Sequence, residues 1–231
     1  MRRAYFEALH VARHRVAFGQ HVTGMPLARR QRAAKQRTSN TLSAMPISIH
    51  QGYLPGAIGR IAALHAHFYH RHAGFGVAFE AKVARELAGF CERYDSARDG
   101  LWLALRDAPG DDAGADARAS AGPSRIEGGI VIDGPRTGPD CDDHEPGSAH
   151  LRWFITSDQT RGSGAGTALL NAALTFCRVQ SYARVYLWTF VGLHAARHLY
   201  EKAGFRLTRQ QRGTQWGTEV NEQRFELNTS L

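Results

Sequence analysis

The segment Arg161-Gly162-Ser163-Gly164-Ala165-Gly166 leads directly into an apolar run over 165–179 and is the most informative part of the chain. Its three glycines let backbone N–H groups approach an anion with no Cβ in the way. The apolar run predicts a helix, and the N-terminus of a helix attracts negative charge. We therefore predict a phosphate-binding loop at the start of this helix, with the side chain of Arg161 as an additional cation.

Two common phosphate-binding motifs do not fit this loop. A P-loop has a Lys and then a Ser or Thr after its last glycine, whereas Gly166 is followed by Thr167-Ala168-Leu169. A dinucleotide-binding turn needs its third glycine one position later, and an acidic residue at the end of the next strand. That strand ends here as Leu-Trp-Thr-Phe over 187–190. The pattern that remains is R-x-x-G-x-G between a strand and a helix.

A second segment, Leu-Tyr-Glu-Lys-Ala-Gly-Phe over 199–205, closes the helix after the next strand. Together the two segments resemble those of the GNAT superfamily of N-acetyltransferases, and the resemblance covers 47–227. It implies that the Gly-rich loop binds the pyrophosphate of acetyl-CoA and that Tyr200 stands beside the thioester sulfur. The first two helices are most similar to the acetyltransferase domains fused to MarR-type regulators, although 1–45 contains no winged-helix pattern.

Hydrophobic periodicity predicts elements in the order β-α-α-β-β-β-α-β-α-β-β. Strands that are apolar on both faces, such as 101–105, predict a sheet covered on both sides. The predicted elements are strands at 47–49, 101–105, 126–132, 151–156, 183–189, 205–208 and 224–227, and helices at 58–70, 79–94, 164–179 and 194–203. The fold class is therefore α/β (α+β). The resemblance implies a mixed, mostly antiparallel twisted sheet of about seven strands with helices on both faces.

The net charge of +8 belongs to the first 45 residues. Nine of the 29 basic residues and one of the 21 acidic residues lie in 1–45, so the rest of the chain carries 20 of each. The domain over 46–231 gives no electrostatic reason to expect a nucleic-acid partner. Three interpretations of 1–45 stay open: a disordered basic arm, a targeting-like segment, or translated upstream sequence with the true start at Met45. Nucleic-acid binding by this segment is a further hypothesis.

The apolar runs are far shorter than the roughly 18 residues of a transmembrane helix, and no secretory signal follows the arginines. The cysteines are too few and too scattered for a disulfide framework or a zinc site. We therefore predict a cytoplasmic protein with no membrane partner. The histidines of the first helix alternate between two faces, so we expect no metal site. These residues are Cys91, Cys141 and Cys177, and His65, His67, His70 and His72.

Acetyl transfer needs a bound CoA, a polarised carbonyl, a neutral amine and a protonated leaving thiolate. By resemblance, the strand end at 155–157 would pair with pantetheine like an added strand, and an N–H there would polarise the carbonyl. Tyr200 is the candidate general acid, because a phenol with an ordinary pKa of about 10 can protonate a thiolate with an ordinary pKa of about 8.5. The predicted cofactor-binding residues are Ile155, Thr156, Ser157, Arg161, Gly162, Ser163, Gly164, Ala165, Gly166 and Thr167.

The sequence gives weaker signals for the residues that would bind the amine acceptor than for those that would bind acetyl-CoA. We predict Glu80 as general base or ammonium anchor, and His65, Tyr69 and Phe79 as the lining of the acceptor pocket. The alternatives are that Glu80 belongs to a solvated helix face and that His65 is a core residue with its hydrogen bonds satisfied. Many relatives carry an Asn that contacts pantetheine seven residues before the tyrosine, where this chain has Leu193.

These patterns support two hypotheses of different class. The first is an N-acetyltransferase that moves acetyl from acetyl-CoA to a primary amine of a small molecule or peptide, directly within a ternary complex. The second is a non-catalytic acyl-CoA-binding regulatory module, motivated by Leu193 and by the weak signal for Glu80. A homodimer agrees with the resemblance, since dimers are common among relatives. The sequence does not identify the acceptor.

Overall fold

The computed structural model describes residues 47–106, 125–136 and 147–229. The predictions for 1–45 and for Cys141 fall outside the described residues. Within the described part of the chain, no helix is both long enough and apolar enough to cross a membrane.

The predicted order of elements is confirmed. The elements are β1 (Ile47–Gln51), α1 (Ala57–Ala73), α2 (Val77–Glu92), β2 (Gly100–Arg106), β3 (Arg125–Asp133), β4 (Ser148–Thr156), α3 (Ala165–Val179), β5 (Arg184–Phe190), α4 (His194–Lys202), β6 (Arg206–Gly213) and β7 (Val220–Asn228). A short 3-10 helix, Asp158–Thr160, lies between β4 and α3. The last two strands are longer than predicted, because β6 continues through exposed polar residues that carry no apolar alternation.

The seven strands form one sheet in the order β1-β2-β3-β4-β5-β7-β6. All neighbours are antiparallel except β4 and β5, which confirms the predicted mixed, mostly antiparallel sheet. The parallel pairing of β4 with β5 is limited to Ser148–His150 against Arg184–Tyr186. Beyond these residues the two strands separate, so their C-terminal halves leave a gap in the middle of the sheet.

Two apolar layers cover the sheet. Leu169 and Leu174 of α3 pack on one face, and Ile61 of α1 packs on the other. Full burial of such a side chain contributes about 1.5–3 kcal/mol. The predicted apolar stripe of α2 is buried at Phe79, Val83, Leu87 and Phe90 and half-buried at Tyr94. The helices thereby fix β4 and β5 from both sides while leaving the gap between them open.

Strand β4 contains a β-bulge that the sequence did not predict. Its register with β3 shifts between Gly129 and Val131, and Trp153 adopts a left-handed φ of 46°. The extra residue breaks the alternation of side chains. Leu151 lies on the face covered by α3, whereas Trp153 and Ile155 lie on the face covered by α1 and α2, so Phe154 is turned toward α3 and α4.

Candidate active site

A cavity of about 1080 Å³ lies at the gap between β4 and β5. Its walls come from helices α1, α2 and α4 and from strands β4, β5, β6 and β7. The predicted site residues that line it are His65, Tyr69, Phe79, Ile155, Thr156, Ser157, Arg161, Gly166 and Tyr200. The other predicted residues of the Gly-rich loop adjoin Arg161 and Gly166 along the chain. Segments far apart in sequence are thus brought to one site.

The backbone of the Gly-rich loop depends on two of its glycines. Gly162 and Gly164 have φ values of 78° and 80°, in the left-handed region that favours glycine. A Cβ at either position would meet nothing within 4 Å, so backbone conformation, and not lack of space, sets the requirement. Gly164 is the N-cap of α3. Arg161 is exposed and pairs with Asp158 at 3.2 Å, which holds its side chain beside the loop.

Several amides of this loop are available to a ligand. The amide of Ser163 donates to the carbonyl of Thr160 at 3.0 Å, and the amide of Ala165 donates to the Ser163 hydroxyl at 3.3 Å. Within the described residues, the loop amides that have no acceptor are those of Gly162, Gly164, Gly166 and Thr167. They lie at the positive end of the α3 dipole. Of the six backbone amides over 162–167, the loop can therefore donate four to a ligand.

The end of β4 presents a free backbone edge to the gap. The Ser157 amide donates to the carbonyl of Glu127 at 2.7 Å, and its hydroxyl donates to the buried Glu127 carboxylate. Because amides alternate in direction along a strand, the amide of Thr156 points away from β3 and toward the side that β5 has left. An extended ligand can pair with this edge as an additional strand.

Tyr200 lies in α4 with only 6% of its surface exposed. Its ring centroid is 6.1 Å from that of Phe154 and 6.0 Å from that of Phe205. Burial raises the pKa of Tyr200 far above its ordinary value, and the neighbouring phenol of Tyr69 raises it further. Burial also raises the pKa of Tyr69 to about 12. Both phenols are protonated at neutral pH, so Tyr200 can serve as a proton donor.

His65 is a buried, neutral imidazole. Its Nδ1 lies 2.9 Å from the carbonyl of Ile61, and because a carbonyl only accepts, Nδ1 carries the proton. Burial lowers the pKa of His65 to about 4. Its ring stacks on that of Tyr69 at 5.9 Å, and Tyr69 contacts the edge of Phe79 at 5.1 Å. The three predicted acceptor-side residues therefore form one aromatic wall with a single free nitrogen, Nε2 of His65.

Glu80 does not join the other predicted residues. It is exposed in the first turn of α2 and is not among the residues that line the cavity. Its position gives no support to the predicted role, because a base has to come within hydrogen-bonding reach of the substrate nitrogen. The same helix sends Glu86 into the cavity, where it pairs with Arg152 at 2.6 Å and with Lys82.

A buried carboxylate on β7 also lines the cavity and was missed by the sequence analysis. Glu222 is 3% exposed and accepts a hydrogen bond from the amide of Gln215 at 3.2 Å. The charges at Glu222, Arg224 and Glu226 alternate along β7, and they form part of a site only once the strand is paired. Gln211 lies opposite Glu222 on β6. The sequence signal was the run of charges at every second residue of a strand.

The four histidines of α1 each hydrogen-bond a backbone carbonyl through Nδ1. The acceptors are Ile61 for His65, Ala63 for His67, Phe75 for His70 and Phe68 for His72. Across 47–106, 125–136 and 147–229, no three His, Cys, Asp or Glu side chains are grouped so as to hold a metal ion. Leu193 is the N-cap of α4 and lines the cavity with an apolar side chain.

Comparison with known families agrees with this arrangement. The profile of the family described as "Acetyltransferase (GNAT) family" matches residues 62–205, which is more than half of the chain. The chain belongs to the GNAT family of acetyltransferases. The match spans the Gly-rich loop and Tyr200, so both segments on which the resemblance was based lie inside it. No match is found among curated proteins.

Solved structures share the fold of this GNAT protein at low identity. Salmonella typhimurium yncA, a candidate acetyltransferase solved with its cofactor acetyl-CoA, is 12% identical, with a TM-score of 0.57 over 80% of this chain and 95% of that one. A GNAT-family acetyltransferase from Staphylococcus aureus Mu50 is 14% identical, with a TM-score of 0.56 over 80% and 99%. A ribosomal-protein-alanine N-acetyltransferase from Brucella melitensis is 13% identical, with a TM-score of 0.53 over 78% and 99%. At sequence identities this low, the structural similarity is evidence for the fold alone.

Proposed function

We propose that this GNAT protein transfers an acetyl group from acetyl-CoA to a primary amine of a small molecule or peptide, directly within a ternary complex. One observation carries the proposal. The free amides of the Gly-rich loop and the protonated phenol of Tyr200 adjoin the same gap between β4 and β5. A ligand with an anionic end and a reactive thioester end would use both.

The residues of the gap suit acetyl-CoA. Four unpartnered amides and the Arg161 side chain would bind the pyrophosphate at the N-terminus of α3. The free edge of β4 at 155–157 would pair with the pantetheine amides, and the Thr156 amide is the donor on that edge. Because Leu193 stands where many relatives have an Asn, one polar contact to pantetheine is missing. The backbone contacts do not depend on that side chain. The cofactor-binding residues proposed here are those predicted from the sequence.

Bound acetyl-CoA supplies an acetyl carbonyl carbon that is activated as a thioester. The lone pair of the amine nitrogen forms a bond to that carbon, and the carbon–sulfur bond breaks. Tyr200 gives its hydroxyl proton to the leaving sulfur, while the nitrogen loses a proton to a base or to water. The products are an N-acetylated amine and CoA with a free thiol, and the Tyr200 phenolate regains a proton from the base or from water. An N–H on the edge of β4 would stabilise the negative charge on the carbonyl oxygen.

The raised pKa of Tyr200 is compatible with its role as an acid. Burial destabilises a phenolate, and the same surroundings destabilise a thiolate formed next to it. Burial raises both proton affinities, so a raised pKa of Tyr200 does not by itself prevent the transfer. A phenol that is never ionised at neutral pH is also always in the protonated form that the reaction needs.

His65, Tyr69 and Phe79 are proposed to line the acceptor half of the cavity. Their aromatic wall would shield the reacting centre from water and pack against the carbon skeleton of the amine. The finer likeness to acetyltransferase domains fused to MarR-type regulators rests on this same region and stays a prediction, as does the cytoplasmic location.

A non-catalytic acyl-CoA-binding module is the second candidate. Two observations favour it: Leu193 stands where relatives have a pantetheine-binding Asn, and Glu80 lies outside the cavity. Such a protein would keep the cofactor site and have no base for the amine.

One experiment separates the two candidates. The protein is incubated with acetyl-CoA and a panel of primary amines, and release of the CoA thiol is followed together with thermal stability. Thiol release that depends on a particular amine, with the acetylated product identified by mass spectrometry, supports the enzyme. A rise in melting temperature with acetyl-CoA and no thiol release with any amine supports the binding module.

A further inference from the structure

The side of the cavity that α1 and α2 leave open is a charged face of the sheet. Strand β7 pairs with β5 on one side and with β6 on the other, and residues directly opposite each other share a face. Two adjacent rows of this face line the cavity. One row is Trp188, Arg224 and Arg209, and the next is Phe190, Glu222 and Gln211.

Arg209 lies directly opposite Arg224 across the β6–β7 pair. Like charges at directly opposed positions destabilise a sheet, and both of these arginines line the cavity. Arg224 is held flat against the ring of Tyr186, with its guanidinium carbon 4.5 Å from the ring centroid. An anion that contacts both side chains would relieve this repulsion.

The two arginines differ in their ion pairs. Glu226 pairs with Arg224 at 3.0 Å and also lies 3.6 Å from Arg184. Within the described part of the chain, Arg209 takes part in no ion pair. The face therefore carries a surplus positive charge at Arg209, which is exposed and can adjust to a ligand.

Arg152, on the opposite wall of the cavity, already pairs with carboxylates of the protein. Arg152 of β4 pairs with Glu86 at 2.6 Å and with the buried Asp133 at 3.4 Å, and its guanidinium lies 4.2 Å from the Trp153 ring. Of these two walls, β6 and β7 would thus attract an anionic group of the acceptor more strongly than β4 would.

Glu222 provides the complementary charge one row away. Residues two apart on a strand are about 7 Å apart, so Glu222 and Arg224 can contact two groups of one small ligand. The Glu222 carboxylate is fixed from two sides, by the Gln215 amide at 3.2 Å and by Gly213, where a Cβ would come within 2.2 Å of it. A buried, oriented carboxylate of this kind suits an ammonium group.

We propose that the acceptor is a zwitterionic amine of the amino-acid type, whose anionic group binds Arg209 and Arg224 and whose ammonium is received by Glu222. This inference rests on the proposed acetyltransferase function. Glu222 accepts one proton from the ammonium, and the neutral nitrogen then attacks the thioester. Phe190 lies opposite Glu222 and its ring is 5.7 Å from that of Tyr69, so this row adjoins the aromatic wall of the acceptor half.

The test compares amines that differ only in the anionic group. With saturating acetyl-CoA, kcat/KM is measured for the L-amino acids, their carboxamides, aminoalkylphosphonates, and neutral and cationic amines. We expect the best acceptor to carry a carboxylate or a phosphonate. Comparison of the L-amino acids with the aminoalkylphosphonates shows which of these anions is preferred. Its kcat/KM should exceed that of the matching carboxamide by about 10²-fold, as lost charge-assisted hydrogen bonds imply.

Three variants assign the effect to residues. Arg209→Gln, at an exposed position, should lower the ratio of kcat/KM between acid and carboxamide by about tenfold. Arg212→Gln is the matched control on the same strand, since Arg212 is exposed, pairs with Glu219 and does not line the cavity, and its ratio should not change. Glu222→Gln should lower kcat/KM for acid and carboxamide alike.

Each outcome is decisive. A carboxamide that is acetylated as well as its acid, or an Arg209→Gln variant with an unchanged ratio, overturns the inference while the acetyltransferase function stands. A variant that weakens only the binding of acetyl-CoA assigns Arg209 to the cofactor and also overturns it. Failure of every amine to release the CoA thiol removes the acetyltransferase function itself, and the inference with it.

Discussion

The rings of Tyr200 and Phe154 lie 6.1 Å apart, centroid to centroid, so a phenol of α4 faces strand β4 at the point where β5 has separated from it. The bulge at Trp153 makes this contact, because the extra residue turns Phe154 toward α4. The same strand carries the free amide of Thr156 farther along. The proposed acid and the proposed cofactor edge are therefore held in one rigid unit.

Gly164→Ala should weaken acetyl-CoA binding. The left-handed φ of 80° at this position costs an alanine about 1–2 kcal/mol, and relief of the strain would displace the free amides at the N-terminus of α3. We expect the Kd for acetyl-CoA, measured by calorimetry, to rise about tenfold, the equivalent of one or two hydrogen bonds.

Gly147→Ala is the matched control for that substitution. Gly147 has a φ of 71°, and a Cβ there also meets nothing within 4 Å, yet it lies before β4 and does not line the cavity. Both variants should lose a similar amount of stability, but only Gly164→Ala should lose affinity. Equal Kd values for the two variants would remove the Gly-rich loop from cofactor binding.

Glu80→Gln should leave turnover unchanged. Its side chain is exposed outside the cavity, so loss of the charge reaches the amine only through solvent. Glu222→Gln should lower kcat/KM by about 10²-fold, the range expected for loss of a general base. Steady-state kinetics of both variants with the same amine measure the contrast. A large loss in Glu80→Gln alone would restore Glu80 as the base.

The buried His65 should make stability depend on pH. Its pKa is about 4 in the folded protein, below the ordinary value of 6.5. The unfolded chain takes up a proton near pH 6.5 while the folded chain does not, so stability present above that pH is lost as the pH falls toward 4. At pH 4.5 the loss amounts to about 2–3 kcal/mol.

Comparison with His65→Phe isolates this contribution from other titrating groups. The free energy of unfolding in urea is measured for both proteins at pH 7.5 and pH 4.5. The wild type should lose about 2–3 kcal/mol more than the variant over this interval. Identical losses would mean that the pKa of His65 is the same in the folded and the unfolded chain.

Local chemistry explains what could be predicted from the sequence. Gly164 and Tyr200 belong to short segments whose roles depend on a few neighbours, and the element order depends on periodicity that each segment carries by itself. The bulge at Trp153 has no such signal, since it arises from how β3 and β4 pair. Glu80 and Glu86 are equivalent in the sequence of α2, and only the packing of the helix on the sheet sends Glu86 into the cavity.

The charged face of β6 and β7 could not be predicted from the sequence for the same reason. Arg209 and Arg224 become neighbours through strand register, which a residue pattern of polar strands does not determine. Glu222 packs against Gly213, the last residue of β6, and against Gln215 in the loop that joins β6 to β7. Acceptor specificity thus depends on tertiary contacts, whereas the cofactor site is largely local.

Turnover by Tyr200→Phe tests the central claim most directly, with Tyr182→Phe as the control. Tyr182 is a buried tyrosine whose hydroxyl donates to the carbonyl of Arg98, and it does not line the cavity. We predict that Tyr200→Phe lowers kcat about 10²-fold while the Kd for acetyl-CoA stays nearly constant, and that Tyr182→Phe keeps kcat. A Tyr200→Phe enzyme with unchanged kcat would contradict the proposed mechanism.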